Sequence, residues 1–270
     1  MRMLKNWYRF RRRIPQYAIR AFTATHRNEA TLQRPSGNPS IGIVVPCYRH
    51  AAYLPATLAS ITAQTMLPDR VILIVDASPD NSRDIIDATI AHMDEENRKH
   101  WILLVNERNI GQAASLNKAI ASAGTDIIAI LNDDDYLMHD YIATMRQLFA
   151  THPSLALIGG TARHVTGNEL DIMHKEIGTM QVALDIRTPD DLRHYKKYND
   201  LNMTHSGTAF LFTAWKAVGG YYSDHAMRIV PFSDRDFQLR INALFPVGIS
   251  ATIPLSFWRT DSSVDAGLNS

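Results

Sequence analysis

Residues 41–49 read IGIVVPCYR. The first five of them are apolar and mostly β-branched, which is typical of a strand buried on both faces of a sheet. We expect this strand to stop at Pro46, because proline has no N–H to donate to a strand ladder. Polar residues, Tyr48 among them, follow at once.

The same pattern recurs along the chain, with apolar strands alternating with helices. Further strands are predicted at residues 71–75, 101–105, 127–131 and 155–158, and helices at 53–65, after Ser82, at 112–122 and at 141–149. This alternation predicts an α/β fold with a mostly parallel sheet. Ligands bind beyond the carboxyl ends of such strands. The polar residues at those ends are Tyr48, Asp76, Asn106, Asn109 and the cluster at 133–135.

Composition limits the class of protein. The chain has 270 residues, 46% of them hydrophobic, and its single cysteine, Cys47, cannot form an intramolecular disulfide. No stretch approaches the roughly 18 apolar residues that a spanning helix needs, so we expect a cytoplasmic protein. The formal net charge of +1 hides an asymmetry, because residues 1–38 carry +8 and the remainder −7. An acidic body argues against nucleic-acid binding.

Residues 1–38 form a basic extension that contains aromatic residues and ends in a linker at 32–39. Mixed basic and aromatic residues suit the anionic face of a membrane, so the extension predicts a peripheral position on the inner face of the cell membrane. The alternative is a solvated extension that packs on its own domain or on a partner subunit. Both interpretations remain open on the sequence alone.

The acidic cluster Asp133, Asp134 and Asp135 directly follows a predicted strand. Adjacent carboxylates repel one another, and a hard divalent cation such as Mg²⁺ or Mn²⁺ would relieve that repulsion while binding substrate phosphates. The alternative is a solvated acidic turn that caps a helix beginning near His139.

Six motifs follow one another along the chain: IVVPCYR at 43–49, VDASPDNS at 75–82, NIG at 109–111 with Asn117, GTD at 124–126 leading to LNDDD at 131–135, VGGY at 218–221 and SDRDFQLR at 233–240. In this order they resemble the motifs of family 2 glycosyltransferases, an inverting family with the GT-A fold. Each motif is weak alone, but their order is specific. The resemblance covers residues 41–240.

The resemblance implies a GT-A type sheet with a nucleotide-sugar-binding half at 39–160 and an acceptor-binding, catalytic-base half at 161–270. It implies Mn²⁺ or Mg²⁺ as the cofactor, held by Asp134 and Asp135, and Asp234 as the base that deprotonates an acceptor hydroxyl. The implied nucleotide-sugar contacts are Pro46, Tyr48, Arg49, Asp76, Asn109, Gly111, Asn117 and Asp133. The implied partners are a nucleoside-diphosphate sugar and a glycan or lipid-linked acceptor, as in bacterial surface polysaccharide synthesis.

Several positions depart from the family pattern. Ala77 replaces an acid that helps to hold the nucleobase, Arg49 replaces an Asn, Asn132 replaces the first Asp of the metal motif, and Ser233 replaces a Glu. A His expected after residues 257–259 is missing, and Asp261 is a loose candidate for its place. These departures leave open the alternative that the chain is a non-catalytic relative of the family, which serves as a binding or assembly subunit. Asp234 could likewise be only a helix N-cap.

Other enzyme classes find less support. The eleven histidines include no HExxH pair, no GxGxxG follows the first strand, and no Gly-Lys-Ser/Thr occurs anywhere. These absences argue against zinc proteases, dinucleotide oxidoreductases and P-loop enzymes. Cys47 has no evident His partner, so a thiol nucleophile is not expected. The Gly-rich, Arg-containing loop of sugar nucleotidyltransferases is also missing.

Overall fold

The computed structural model describes residues 15–27, 32–35, 37–166, 182–194 and 201–261. The helices are α1 (Gln16–His26), α2 (Leu54–Thr62), α3 (Ser82–Ala91), α4 (Glu95–Arg98), α5 (Gln112–Ser122), α6 (Tyr141–Thr151), α7 (Pro189–His194), α8 (Phe212–Ala217) and α9 (Ser233–Leu244). The strands are β1 (Ile41–Cys47), β2 (Arg70–Val75), β3 (Trp101–Val105), β4 (Ile127–Ile130), β5 (Tyr136–Leu137), β6 (Leu157–Gly160), β7 (Ala162–Val165), β8 (Asp185–Arg187), β9 (Ala209–Leu211), β10 (Val247–Ser250) and β11 (Ser256–Arg259).

The main sheet of the described residues has eight strands in the order β3-β2-β1-β4-β9-β6-β10-β8. Strands β1 to β4 run parallel, as do β6 and β10, while β9 and β8 are antiparallel to their neighbours. The predicted α/β fold with a mostly parallel sheet is confirmed. Because β9 lies between β4 and β6, the predicted boundary at 160/161 does not separate two sheets.

The end of β1 differs from the prediction, because the strand continues through Pro46 to Cys47. The carbonyl of Cys47 accepts from Asp76 N on the β2 side, whereas that of Val44 accepts from Leu131 N on the β4 side. Alternation along the strand turns Pro46 toward the β4 side, beyond Val44, the last residue that pairs with β4. The missing N–H therefore costs no ladder hydrogen bond.

The predicted capping of α3 by Ser82 is wrong. The N-cap position is Asn81, without a side-chain cap, and Ser82 is the first helical residue. Its hydroxyl donates instead to Asp80 Oδ1 (2.6 Å), which also accepts from Ser78 Oγ (2.7 Å). Burial alone would raise the pKa of Asp80, but these bonds and the Ala51 amide lower it to about 2.

Part of the N-terminal extension belongs to the folded core. Helix α1 packs against α9 and α7, and its Ile19 and Phe22 are buried. For residues 15–27 the structure therefore shows packing on the chain's own domain. Residues 1–14 lie outside the described residues. Among the described helices, none has both the length and the apolar character that crossing a bilayer requires.

Candidate active site

A cavity of about 380 Å³ opens at the carboxyl ends of β1 and β2 and the start of α5. It brings together seven of the eight residues predicted to contact a nucleotide sugar. The lining residues are Pro46, Cys47, Tyr48, Arg49, His50, Asp76, Asn109, Gly111, Gln112, Ser115 and Asp133. A second cavity of about 420 Å³ near Trp101 lies at the opposite, amino ends of the strands. Because ligands of such sheets bind at the carboxyl ends, we assign function to the first.

Asp76 shapes one wall of this cavity. Its buried carboxylate accepts hydrogen bonds from Asn106 Nδ2 (2.9 Å), Ile110 N (2.9 Å) and Gly111 N (2.8 Å). Gly111 has a φ of +85°, which favours glycine at the turn into α5. Asp76 therefore fixes the loop that leads from β3 to α5.

The loops after β1 and β2 are fastened to each other. Arg49 N donates to Ser78 Oγ (2.8 Å), and Ala51 N donates to Asp80 Oδ2 (2.9 Å). Both loops contain a non-glycine residue in the left-handed region, Arg49 with φ 64° and Ala77 with φ 51°. Such backbone strain is often found at functional sites.

Asp133 faces the cavity and holds the loop after β1. Its Oδ2 accepts from Tyr48 N (2.8 Å), and Nδ1 of His50 donates to its Oδ1 (2.8 Å). This hydrogen bond raises the pKa of His50, although burial opposes the shift. One potential ligand atom from each of His50, Asp133 and Asp134 lies within 4.8 Å of the other two. These three residues form the metal-capable cluster of the site.

Asp135 lies outside this cluster, and its role as a metal ligand stays a prediction. Its Oδ1 accepts from Arg259 N (3.0 Å), and its Oδ2 accepts from Ser206 Oγ (2.5 Å). The carboxylate therefore anchors β11 and the segment before β9. Since all three aspartates are at most 8% exposed, the alternative of a solvated acidic turn is wrong.

Burial and the neighbouring charge of Asp134 raise the pKa of Asp135 to about 7. An unfolded Asp has a pKa near 3.9, so between about pH 4 and pH 7 the folded protein binds more protons here than the unfolded chain. Stability from this group is therefore present below pH 4 and is lost as the pH rises to 7.

We expect Asp135→Asn to become more stable relative to the wild type as the pH rises from 5 to 8, by roughly 2 to 3 kcal/mol. Urea unfolding at both pH values in metal-free buffer measures this difference. A constant difference between the two proteins would contradict the prediction.

Arg259 supplies positive charge beside the acidic loop. Its side chain is fully buried, and its Nε donates to the carbonyl of Asp134 (3.0 Å). The guanidinium lies over the rings of Tyr53 and Tyr136, 4.5 and 4.8 Å from their centroids. A buried cation at this place offsets part of the repulsion within the acidic loop. Asp261, the candidate for the place of the missing His, is exposed and lies two residues after Arg259.

Asp234 is the second residue of α9, and the N-cap position is Phe232. The alternative that Asp234 is only an N-cap is therefore wrong. Burial lowers the pKa of His205, and the charge of Asp234 opposes this shift. Burial raises the pKa of Tyr221, and the charge of Asp234 raises it further. Asp234 is thus close enough for its charge to act on both side chains.

His205 connects this region to the acidic loop. Its Nδ1 lies 3.1 Å from Asn132 Oδ1, and its Nε2 lies 3.2 Å from the Tyr221 hydroxyl. His205 therefore bridges Asn132 of the acidic loop and Tyr221. No sequence motif contains His205, because its partners lie 73 residues before it and 16 residues after it.

Asn117 is the one predicted nucleotide-sugar contact that this cavity does not include. It does not line the cavity. Its Oδ1 accepts from Tyr221 N (2.8 Å) and Trp215 Nε1 (3.1 Å), and its Nδ2 donates to Tyr221 O (2.8 Å). Gly220 has a φ of +69°, and a Cβ there would meet Asn117 Oδ1 at 2.5 Å. Asn117 therefore fastens this turn to α5, and its nucleotide-sugar contact stays a prediction.

Comparison with known proteins shows which family this chain resembles. The model of "Glycosyl transferase family 2" matches residues 42–219. The putative glycosyltransferase EpsH of Bacillus subtilis is 28% identical over 134 residues, which are 49% of this chain and 37% of EpsH. The first curated relatives are matched over only 33% to 38% of their own length.

Two solved structures share the fold. S. aureus TarS, residues 1–349 with UDP, has a TM-score of 0.59 at 14% identity, covering 82% of this chain and 60% of TarS. The mannosyltransferase PcManGT from Pyrobaculum calidifontis, with GDP-Man and Mn²⁺, has a TM-score of 0.58 at 16% identity, covering 90% of this chain and 68% of PcManGT. At these identities the likeness concerns the fold.

Proposed function

The chain belongs to glycosyl transferase family 2, and from this premise we propose that it transfers a sugar from a nucleoside-diphosphate sugar to a hydroxyl group, with inversion at the anomeric carbon. The acceptor class is a glycan or lipid-linked glycan of a cell-surface polysaccharide. One observation carries the proposal: Asn132 in the acidic loop contacts His205, His205 contacts the Tyr221 hydroxyl, and Tyr221 stacks on Phe237 of α9, the helix that carries Asp234.

The donor would occupy the cavity at the ends of β1 and β2. The TarS and PcManGT structures contain UDP and GDP-Man respectively, which supports a nucleotide sugar as the ligand class. Pro46, Tyr48, Arg49, Asn109 and the Gly111 turn would contact it, while Asp76 and Asp133 hold the loops in place.

The residues present fit a divalent cation. Asp133 already accepts from Tyr48 and His50, so Asp134 and His50 would hold the ion, with diphosphate oxygens completing its shell. Carboxylate and diphosphate oxygens suit both Mn²⁺ and Mg²⁺, and His50 would add one imidazole nitrogen. When bound, the ion would offset the negative charge that develops on the departing diphosphate.

We expect His50→Ala to weaken Mn²⁺ binding in the presence of UDP by about 10-fold or more, the loss typical when a metal site is disturbed. The paramagnetic resonance signal of free Mn²⁺ measures this without any assay of turnover. His92→Ala, which removes an exposed histidine far from the cavity, is the matched control. Equal affinities in the wild type and both variants would exclude His50 from the ion's shell.

Asp234 would accept the proton of the acceptor hydroxyl. In this proposal the hydroxyl attacks the anomeric carbon from the face opposite the diphosphate, which inverts the configuration. Because Asp234 is half-buried in the first turn of α9, it can remain accessible to an acceptor that approaches from this side.

A screen of nucleotide sugars for thermal stabilisation, with and without Mn²⁺, tests the proposed function. A ligand that binds only the folded protein must raise its apparent stability. We expect metal-dependent stabilisation by one class of donor and its loss in Asp134→Ala. If no donor stabilises the protein under either condition, the alternative of a non-catalytic binding or assembly subunit is favoured.

We also propose a membrane role for residues 1–14, which include six Lys or Arg residues and Trp7, Tyr8 and Phe10. Deleting them should reduce co-sedimentation with anionic vesicles, since each basic residue contributes about 1 kcal/mol at such a surface. The deletion must stop before α1, because Ile19 and Phe22 are buried. Equal sedimentation of both proteins would remove this role.

A further inference from the structure

The described residues contain one side chain that touches the acidic loop on one side and the surroundings of Asp234 on the other. His205 is partly buried, and both of its ring nitrogens are engaged, by Asn132 Oδ1 at 3.1 Å and by the Tyr221 hydroxyl at 3.2 Å. Its two partners come from different elements of the fold. Asn132 follows β4, and Tyr221 follows the turn after α8.

The three side chains Asn132, His205 and Tyr221 differ in which atoms can donate and which can accept, and this determines the donor of each hydrogen bond. With the amide oxygen of Asn132 as acceptor, Nδ1 of His205 must carry the proton. Nε2 then accepts from the Tyr221 hydroxyl. A neutral imidazole therefore makes two specific contacts, and a phenyl ring at this position can make neither.

The His205 end is fixed to the acidic loop by its neighbour. Ser206 Oγ donates to Asp135 Oδ2 (2.5 Å) and accepts from Asn132 N (3.0 Å). The position of the imidazole is thus set relative to the loop that contains Asp134.

The Tyr221 end is fixed to α9. The ring of Tyr221 stacks on Phe237 with centroids 4.1 Å apart and an interplanar angle of 20°. Phe237 lies three residues after Asp234, so the two lie on neighbouring positions of one helix face. Asn117 holds the backbone of Tyr221 in place from α5.

We propose that His205 is a positioning residue that fixes Asp234 relative to the Asp134 loop, through hydrogen bonds to Asn132 and to the Tyr221 hydroxyl. This inference rests on the proposed function, since it assigns the geometry of that same site. Asn132 is also the position where the family pattern has the first Asp of the metal motif. In this interpretation the side chain of Asn132 serves as the hydrogen-bond partner of His205. The change from Asp to Asn at this position is then not simply the loss of a metal ligand.

The expected consequence is kinetic. A misplacement of about 1 Å between reacting groups can lower a rate by roughly 10²-fold. His205→Phe should therefore lower kcat by about 10- to 100-fold while the KM for the donor changes by less than about twofold. His205→Gln, whose amide can both donate and accept, should recover part of the loss.

Tyr221→Phe provides a second variant that keeps the stacked ring and removes only the hydroxyl. If His205 acts through this hydroxyl, the double variant that combines His205→Phe with Tyr221→Phe should lose no more activity than His205→Phe alone. His92→Phe, at an exposed position remote from the cavity, is the matched control. Additive losses, or kcat within about twofold of the wild type in folded His205→Phe and Tyr221→Phe, would overturn the proposal.

Hydrogen exchange supplies a readout that does not depend on turnover. In His205→Phe, the amides of residues 233–237 should exchange faster than in the wild type, while affinity for UDP is unchanged. Unchanged exchange there would overturn the positioning role even if the wild type proves to be a transferase. Conversely, faster exchange in a protein that transfers no sugar would support the positioning role and reject the proposed function.

Discussion

Replacing Asp234 with asparagine should lower kcat by roughly 10² to 10⁴, the usual contribution of a general base. Asparagine preserves the size of the side chain and its place in the first turn of α9, but it cannot accept the acceptor's proton. Donor binding should be intact, because Asp234 does not line the cavity at the ends of β1 and β2.

Single-turnover transfer and UDP titration, run on the same preparations, separate these two expectations. Asp87→Asn, which changes an exposed acid on α3, is the matched control and should behave as the wild type. If Asp234→Asn turns over at the wild-type rate, the assigned base is wrong.

The second large effect is expected in stability. Arg240 is fully buried, and its Nε donates to Asp236 Oδ2 (2.8 Å). Its Nη1 donates to the carbonyl of Val218 (2.6 Å), and its guanidinium lies 3.7 Å from the centroid of the Tyr222 ring. This residue therefore joins α9 to the segment that carries the Gly219–Gly220 turn.

Arg240→Met should lower the free energy of unfolding by about 3 to 5 kcal/mol, because it leaves the buried carboxylate of Asp236 without its cation. Urea unfolding followed by circular dichroism measures this loss.

Arg83→Met is the matched control. It breaks the exposed Arg83–Asp87 pair, whose side chains are 63% and 55% accessible, and should cost less than about 1 kcal/mol. Similar losses in Arg83→Met and Arg240→Met would contradict the assignment of Arg240 as a buried structural cation.

Much of the fold could be predicted from the sequence, because buried parallel strands have a simple signature. The apolar runs that became β1 to β4 are each followed by polar residues, and the structure places those residues at one edge of the sheet. The errors concern local detail. The prediction that β1 ends at Pro46 failed, because a proline interrupts a strand only where its missing N–H would pair with a neighbouring strand. That pairing depends on the folded structure.

The candidate site was predicted in part for a related reason. Asp133 and Asp135 are two residues apart, yet one faces the cavity and the other faces Ser206 and Arg259. Sequence adjacency does not determine the direction of a side chain within a turn. The contact between Asn117 and Tyr221 could not be predicted, because the two residues lie 104 positions apart in the sequence.

Neither the contacts of His205 nor the burial of helix α1 could be predicted from the sequence. His205 lies in a segment without regular periodicity, so its contact with Asn132 depends on the folded arrangement. Helix α1 contains few large apolar residues, and the two that are buried, Ile19 and Phe22, are too few to distinguish a core helix from a surface helix.

The most direct measurement is a crystal structure of the protein with Mn²⁺ and a nucleoside diphosphate, with the ion located by anomalous scattering. The account predicts an ion bound to Asp134, the nucleotide between Tyr48 and Asp76, and Asp234 facing the diphosphate across one open cleft. A nucleotide bound elsewhere, or an Asp234 carboxylate that shares no cleft with the ion, would contradict it.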